Sequence, residues 1–143
     1  MASVEKHIRI PVAPDEVWRT VRDFGAIDEY VPPITDAVRS GEGIGATRTL
    51  TLADGGEVVE QLDALDDDAR TLRYSIVEAP LPVKDYEGRL VVEAVDASTC
   101  DVTWASTFAV VDAPEDEIAS TFAELYEAGL AGLKDRLAVR SGE

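Results

Sequence analysis

Histidine is the scarcest catalytic side chain in this sequence: among 143 residues there is one, His7. It lies in Ser3-Val4-Glu5-Lys6-His7-Ile8-Arg9-Ile10, where Val4, Ile8 and Ile10 share one strand parity and His7 shares the other with Glu5 and Arg9. It is therefore expected to face solvent. A buried Ser/His/Asp or Cys/His unit, or a His-rich zinc or iron site, needs an inward histidine that this chain does not offer. Cysteine is equally scarce. Cys100, the only one, excludes an internal disulfide framework and a cysteine-cluster metal site, and it fits a reducing cytoplasm. No metal and no cofactor is expected. No apolar run approaches the ~18 residues of a membrane span, and Met1 to Val12 lacks the apolar core of a signal peptide.

Cations are also few. Lys and Arg number 13 against 29 Asp and Glu, a formal net charge of −16, with the acids spread along the whole chain. That field repels phosphate backbones and anionic bilayers, which argues against nucleic-acid and membrane-surface partners. Its plainest reading is a solvated, solubilising surface, and a docking face for a basic partner comes second. What the chain does have is 45% apolar residues. A mass of 15.4 kDa implies a folded surface of about 7,200 Å² and burial of about two-thirds of the extended chain. One domain, 1–143, is expected, as a monomer or weak dimer.

Periodicity divides the chain into three parts. A strand over Val4 to Ile10 runs into Pro14-Asp15-Glu16, with proline in the first helical position and acids at the dipole's positive end. Val17, Trp18, Val21 and Phe24 then recur at helical spacing, Gly25 ends the helix, and a second short turn, Ala26 to Tyr30, is stopped by Pro32-Pro33. From Ile34 to Val111 the period is two. Asp54-Gly55-Gly56, Asp66-Asp67-Asp68, Pro80-Leu81-Pro82 and Ala97-Ser98-Thr99 separate the strands, about six in antiparallel sequence with the first as a seventh. Asp112, as a capping side chain, and Pro114 start a helix expected to reach about Val139, roughly 38 Å, with Lys134, Arg136 and Arg140 near its carboxyl end. Its apolar stripe is Ile118, Phe122, Leu125, Tyr126, Gly129, Leu133 and Leu137. The fold class is α+β, one curved antiparallel sheet of about seven strands around a long C-terminal helix.

The strand face toward that helix reads Val58, Glu60, Leu62 and Ala64, then Leu72, Tyr74 and Ile76, then Tyr86, Gly88, Leu90 and Val92. It is apolar with occasional polar groups. Small residues Gly88 and Gly129 on opposite sides are read as leaving a cavity between sheet and helix. A carboxylate at Glu60 is desolvated if it sits inside, which raises its pKa and makes it a candidate acid or base; a rim position, hydrated or paired with Arg48, is the plainer alternative. Tyr74, Tyr86 and Tyr126 are candidates to present hydroxyls to a ligand, or to fill the core. Trp18 and Trp104 read as core anchors. Pro80-Leu81-Pro82 and Asp54-Gly55-Gly56 sit at strand ends where a mouth belongs, and equally suit plain turns.

Pro11-Val12-Ala13-Pro14-Asp15-Glu16-Val17-Trp18, Gly43-Ile44-Gly45-Ala46-Thr47-Arg48, the Val102 to Phe108 strand and Gly129-Leu130-Ala131-Gly132-Leu133-Lys134 together resemble the polyketide cyclase/dehydrase and lipid-transport family. That family belongs to the helix-grip (SRPBCC) superfamily of START domains, the birch-pollen allergen and plant abscisic-acid receptors. The resemblance covers nearly the whole chain and implies a helix-grip fold. By similarity to the receptor branch, Glu60, Tyr74 and Tyr86 take pocket-lining places, and the last strand turns Ala105 and Thr107 inward, whereas chemistry alone turns Trp104, Ser106 and Phe108 inward. The receptors' Gly-Leu-Pro-Ala gating loop is replaced here by Leu52-Ala53-Asp54-Gly55-Gly56, and Tyr30 to Val38 contains no counterpart of their pocket lysine. The cavity reading and the resemblance together imply binding or carriage of a small hydrophobic molecule (lipid, polyketide, quinone or aromatic) by Glu60, Tyr74, Tyr86, Gly88, Thr107, Phe122, Leu125, Tyr126 and Gly129. The alternatives are a polyketide cyclase, aromatase or dehydratase with Glu60 as acid/base and Tyr86 polarising a carbonyl, and a partner-binding module using the acidic surface.

Overall fold

The computed structural model of the chain describes residues 1–141, with side chains to Ala138; Arg140, assigned above to the helix end, has its side chain outside the described residues. Strand β1 (Ala2–Ile10) buries Ala2, Val4 and Ile10 and leaves His7 exposed, as its parity requires. Proline at the first position and Asp15 and Glu16 in the first turn start α1 (Pro14–Val21), which buries Val17, Trp18 and Val21. The helix stops at Val21, one turn earlier than the periodicity predicts, and Phe24 is buried from the following loop. A single 3-10 turn, Ile27–Glu29, follows.

Six strands come next: β2 (Ile34–Ser40), β3 (Thr47–Leu52), β4 (Glu57–Asp66), β5 (Thr71–Glu78), β6 (Val83–Asp96) and β7 (Thr99–Val110). Each pairs with the next in antiparallel fashion, and β1 joins β7, giving the order β1-β7-β6-β5-β4-β3-β2. Helical material between β1 and β2 keeps them apart in the sheet, so they form its two edges. Register slips in β2, β4 and β6 mark bulges, and Asp85 in β6 sits at φ 54°. Bulges bend a strand and increase its twist, and that curvature lets one sheet wrap a helix.

Asp112, at φ 54°, turns the chain out of β7 into α2 (Glu115–Ser141). Its 27 residues span about 40 Å. Tyr126, Leu133 and Leu137 on its inner stripe are fully buried. Asp67, in the turn between β4 and β5, accepts from the Trp18 indole at 2.9 Å and the Arg22 guanidinium at 2.8 Å, tying α1 to that hairpin. Total accessible surface is 7450 Å², close to the expectation from mass.

Two sequence expectations fail here. Gly88 and Gly129 do not open a void. An added Cβ at Gly88 would lie 2.3 Å from the Tyr74 ring, and one at Gly129 would lie 2.6 Å from Trp104. Tyr74 and Gly88 are direct cross-strand partners, so the ring lies over the glycine; at Gly129 the helix backbone comes close to the indole. A small residue marks close approach as readily as empty space, and only the size of its neighbour decides which. Thr107 is the second correction. Trp104, Ser106 and Phe108 are buried while Thr107 lies in a shallow groove on the outer face with Arg73, Glu87 and Arg89, so the strand follows its own chemistry.

Candidate functional site

Between the β3–β6 part of the sheet and α2 lies a cavity of about 550 Å³, within the range of small-molecule sites. Leu50, Val58 and Ile76 from the sheet and Phe122 and Leu125 from the helix form its apolar body. Leu52, Ala53 and Asp54 of the β3–β4 hairpin and Leu81 of the β5–β6 corner also line it. These residues belong to the two strand-end segments for which the sequence left a pocket mouth and plain turns as alternatives. Among the described residues three carboxylates, Asp54, Glu60 and Glu124, line the cavity, and no Lys or Arg does.

Strand parity carries Tyr74 and Tyr86 into the cavity wall, and helical spacing brings Phe122, Leu125 and Tyr126 to it from the other side. The three tyrosines are joined. Tyr74 and Tyr86 share a hydrogen bond of 2.9 Å between their hydroxyls, and Tyr86 also bonds Tyr126. Trp104 Nε1 donates to Tyr74 Oη at 2.8 Å, and Tyr126 Oη donates to Ser106 Oγ at 2.7 Å. Trp104 stacks on Tyr126 with ring centroids 4.4 Å apart, and Phe122 packs against Tyr86 at 5.2 Å. Burial raises the pKa of all three phenols well above the ordinary value, because the charged form loses water. Trp104 and Ser106 were not foreseen as site residues. The signal for them lay in the inward parity of their strand, which brings both within reach of inward tyrosines.

Glu60 is buried, and so is Arg48, its cross-strand partner on β3. Arg48 Nε donates to Glu60 Oε1 at 2.8 Å and Nη1 donates to the Phe24 carbonyl at 3.0 Å. Nη2 lies 2.7 Å from the same carboxylate oxygen without hydrogen-bond alignment, so its attraction is ionic. The guanidinium also sits 3.9 Å from the centre of the Phe24 ring, a stacked geometry that partly compensates a buried cation. Burial raises the Glu60 pKa and Arg48 opposes the rise. The two readings made from sequence merge: Glu60 is both on the cavity wall and paired with Arg48. Arg48 holds Oε1, and among the described residues no group of side chains could hold a metal ion.

A curved sheet gripping a long helix around an apolar cavity with one hydroxyl-bearing wall defines a helix-grip small-molecule pocket. The chain belongs to the family described as polyketide cyclase / dehydrase and lipid transport, whose pattern matches residues 1–138. Among solved structures it is similar to the protein XoxI from Bacillus cereus, at 28% identity and TM-score 0.89 over 95% of both chains. It is also similar to the Zhui aromatase/cyclase from Streptomyces sp. R1128, at 19% identity and TM-score 0.83 over 98% of this chain and 95% of that one. Norcoclaurine synthase from Thalictrum flavum, solved with dopamine and hydroxybenzaldehyde, matches at 15% identity and TM-score 0.78 over 96% and 86% of the two chains. The last two likenesses are those of the fold. The comparison with curated proteins found no match.

Proposed function

We propose that the protein binds and carries a small, uncharged, largely apolar molecule in the cavity between sheet and α2, with Glu60, Tyr74, Tyr86, Phe122, Leu125 and Tyr126 in contact with it. The observation that carries this reading is the lining itself: an apolar body of about 550 Å³ whose charged groups are all acidic. An anionic ligand would meet three carboxylates and no free cation. No helix among the described residues is long and apolar enough to cross a membrane, and we place the protein in the cytoplasm as a single domain, monomeric or weakly dimeric. A lipid, isoprenoid or aromatic molecule fits this chemistry. The second reading, a cyclase or dehydratase, is favoured by one observation, a desolvated carboxyl on the cavity wall, a common source of acid/base catalysis.

Native mass spectrometry of the purified protein, followed by solvent extraction, tests the carrier reading. The expected result is a co-purifying apolar molecule that is absent from an Ile76→Trp variant, whose indole fills the cavity. A wild-type protein that holds no such molecule, and takes up no apolar fluorescent probe that Ile76→Trp excludes, overturns it. Chemical turnover of a bound polyketide, lost in Glu60→Gln while binding persists, would establish the enzyme instead.

A further inference from the structure

The chain of hydroxyls on the cavity wall has a direction, and it is fixed from both ends. An indole N–H only donates, so at one end Tyr74 Oη accepts from Trp104. At the other end Tyr126 donates its single proton to Ser106 Oγ. Tyr126 therefore has none left for Tyr86, and the close Tyr86–Tyr126 contact must be made by the Tyr86 proton. Tyr86 then has none left for Tyr74, and the 2.9 Å contact between them must be made by the Tyr74 proton. Three tyrosyl protons serve three contacts. Each tyrosyl oxygen has accepted one hydrogen bond and has no proton left to give, so it meets a ligand only as an acceptor.

We propose that this wall makes the pocket selective for ligands that carry a neutral hydrogen-bond donor, a phenol or an alcohol, on an apolar body, and against ligands whose polar atoms are acceptors only. The inference rests on the binding function proposed above and specifies its ligand. A donor adds a bond to a free lone pair and breaks nothing. A carbonyl, by contrast, finds no free tyrosyl proton; to be satisfied it must take one from a neighbouring buried oxygen, and stranding a buried polar group is costly. The rest of the lining agrees, since Glu60 contributes carboxylate oxygens and Asp54 and Glu124 add acceptors. Poly-carbonyl chains are therefore poor ligands here, whereas their enolised, aromatised or reduced products are good ones.

Two fluorescent probes with the same ring system test this: 1-hydroxypyrene, which donates, and pyrene-1-carboxaldehyde, which only accepts, each titrated into the intact protein. The expected result is binding of both, with 1-hydroxypyrene favoured by roughly tenfold or more. Tyr86→Phe removes the acceptor of the Tyr74 proton and turns that proton toward the ligand, so the preference should shrink or invert. Ser106→Ala does the same for the Tyr126 proton with a smaller change of volume, and it serves if Tyr86→Phe does not fold. Equal affinities in the wild type, or a preference that both variants leave unchanged, overturn the donor rule while leaving a binding protein. Failure of both probes to bind overturns the binding function and the donor rule together.

Discussion

Raising the pH through the tyrosine range perturbs the whole site at once, because the sequence has four tyrosines and all four, Tyr30, Tyr74, Tyr86 and Tyr126, are buried. Burial pushes Tyr30 up to about 12 and the other three well above their ordinary value. In the unfolded chain each ionises near ~10. Between that pH and the folded values the native state holds protons that the unfolded state has released, so stability falls as pH rises. Each such group contributes about 1.4 kcal/mol per pH unit, and four together about 5 kcal/mol per unit. A domain of ordinary stability, roughly 5–15 kcal/mol, then unfolds between about pH 11 and 13. Tyrosinate absorbance followed alongside far-ultraviolet circular dichroism is the assay. At about pH 11, where a free phenol is ~90% ionised, native protein should show almost no tyrosinate, and the four signals should appear in one step with loss of structure. A tyrosine that titrates reversibly near pH 10 in folded protein, and still does so in a Tyr30→Phe variant, would refute the closed hydroxyl chain and the ligand selectivity drawn from it.

Arg48→Met should destabilise by about 3–5 kcal/mol because it strands the Glu60 carboxylate in the core, while the double change Arg48→Met with Glu60→Leu should restore most of that; denaturant midpoints at constant slope measure both. Burial raises the Glu60 pKa, so the native state keeps that proton to higher pH than the unfolded chain does; the resulting stability is lost as pH rises from the ordinary carboxylate range through the folded value, and Glu60→Gln should flatten this part of the pH profile. Gly88→Ala should cost about 2 kcal/mol by forcing the Tyr74 ring off its neighbour, and it should also weaken probe binding, since that ring is cavity wall. Arg9→Gln, which breaks an exposed pair with Asp101 at 2.9 Å, should change stability by less than about 1 kcal/mol.

The order of elements was legible in the sequence because each boundary has a local cause. Proline at the start of α1, the Asp54-Gly55-Gly56 hairpin, the aspartate turn at residues 66–68 and Pro114 before α2 act within a few residues, and the structure places elements accordingly. Parity assigned Tyr74, Tyr86 and Glu60 to the inner face, and the assignment survives the register slips beside Glu60 and around Tyr86. What failed needed non-local information. Gly88 and Gly129 were read as empty space, but the filling comes from Tyr74 on the neighbouring strand and Trp104 across the core. Phe24 continues a helical spacing, yet α1 has already ended at Val21 and the ring is buried from a loop, against the Arg48 guanidinium. Thr107 was carried inward by likeness to receptors, against the chemistry of Trp104, Ser106 and Phe108 on the same strand.

The residues of the candidate site are also residues of the core, and this couples binding to folding. Tyr74, Tyr86, Trp104, Phe122 and Tyr126 line the cavity and belong to the buried cluster, and their hydroxyl chain is satisfied internally without a ligand. The wall is thus preformed, and the protein need not order it on binding, which keeps the entropic cost low. The same closure limits chemistry. A tyrosine whose proton is committed to a neighbour and whose pKa is raised by burial is a poor general acid or base near neutral pH, and the Glu60 carboxylate is tied to Arg48. A binding wall of this kind holds a molecule and selects it by which atoms can donate, and ligand affinity should appear directly as added stability, rising with the logarithm of ligand concentration above its Kd.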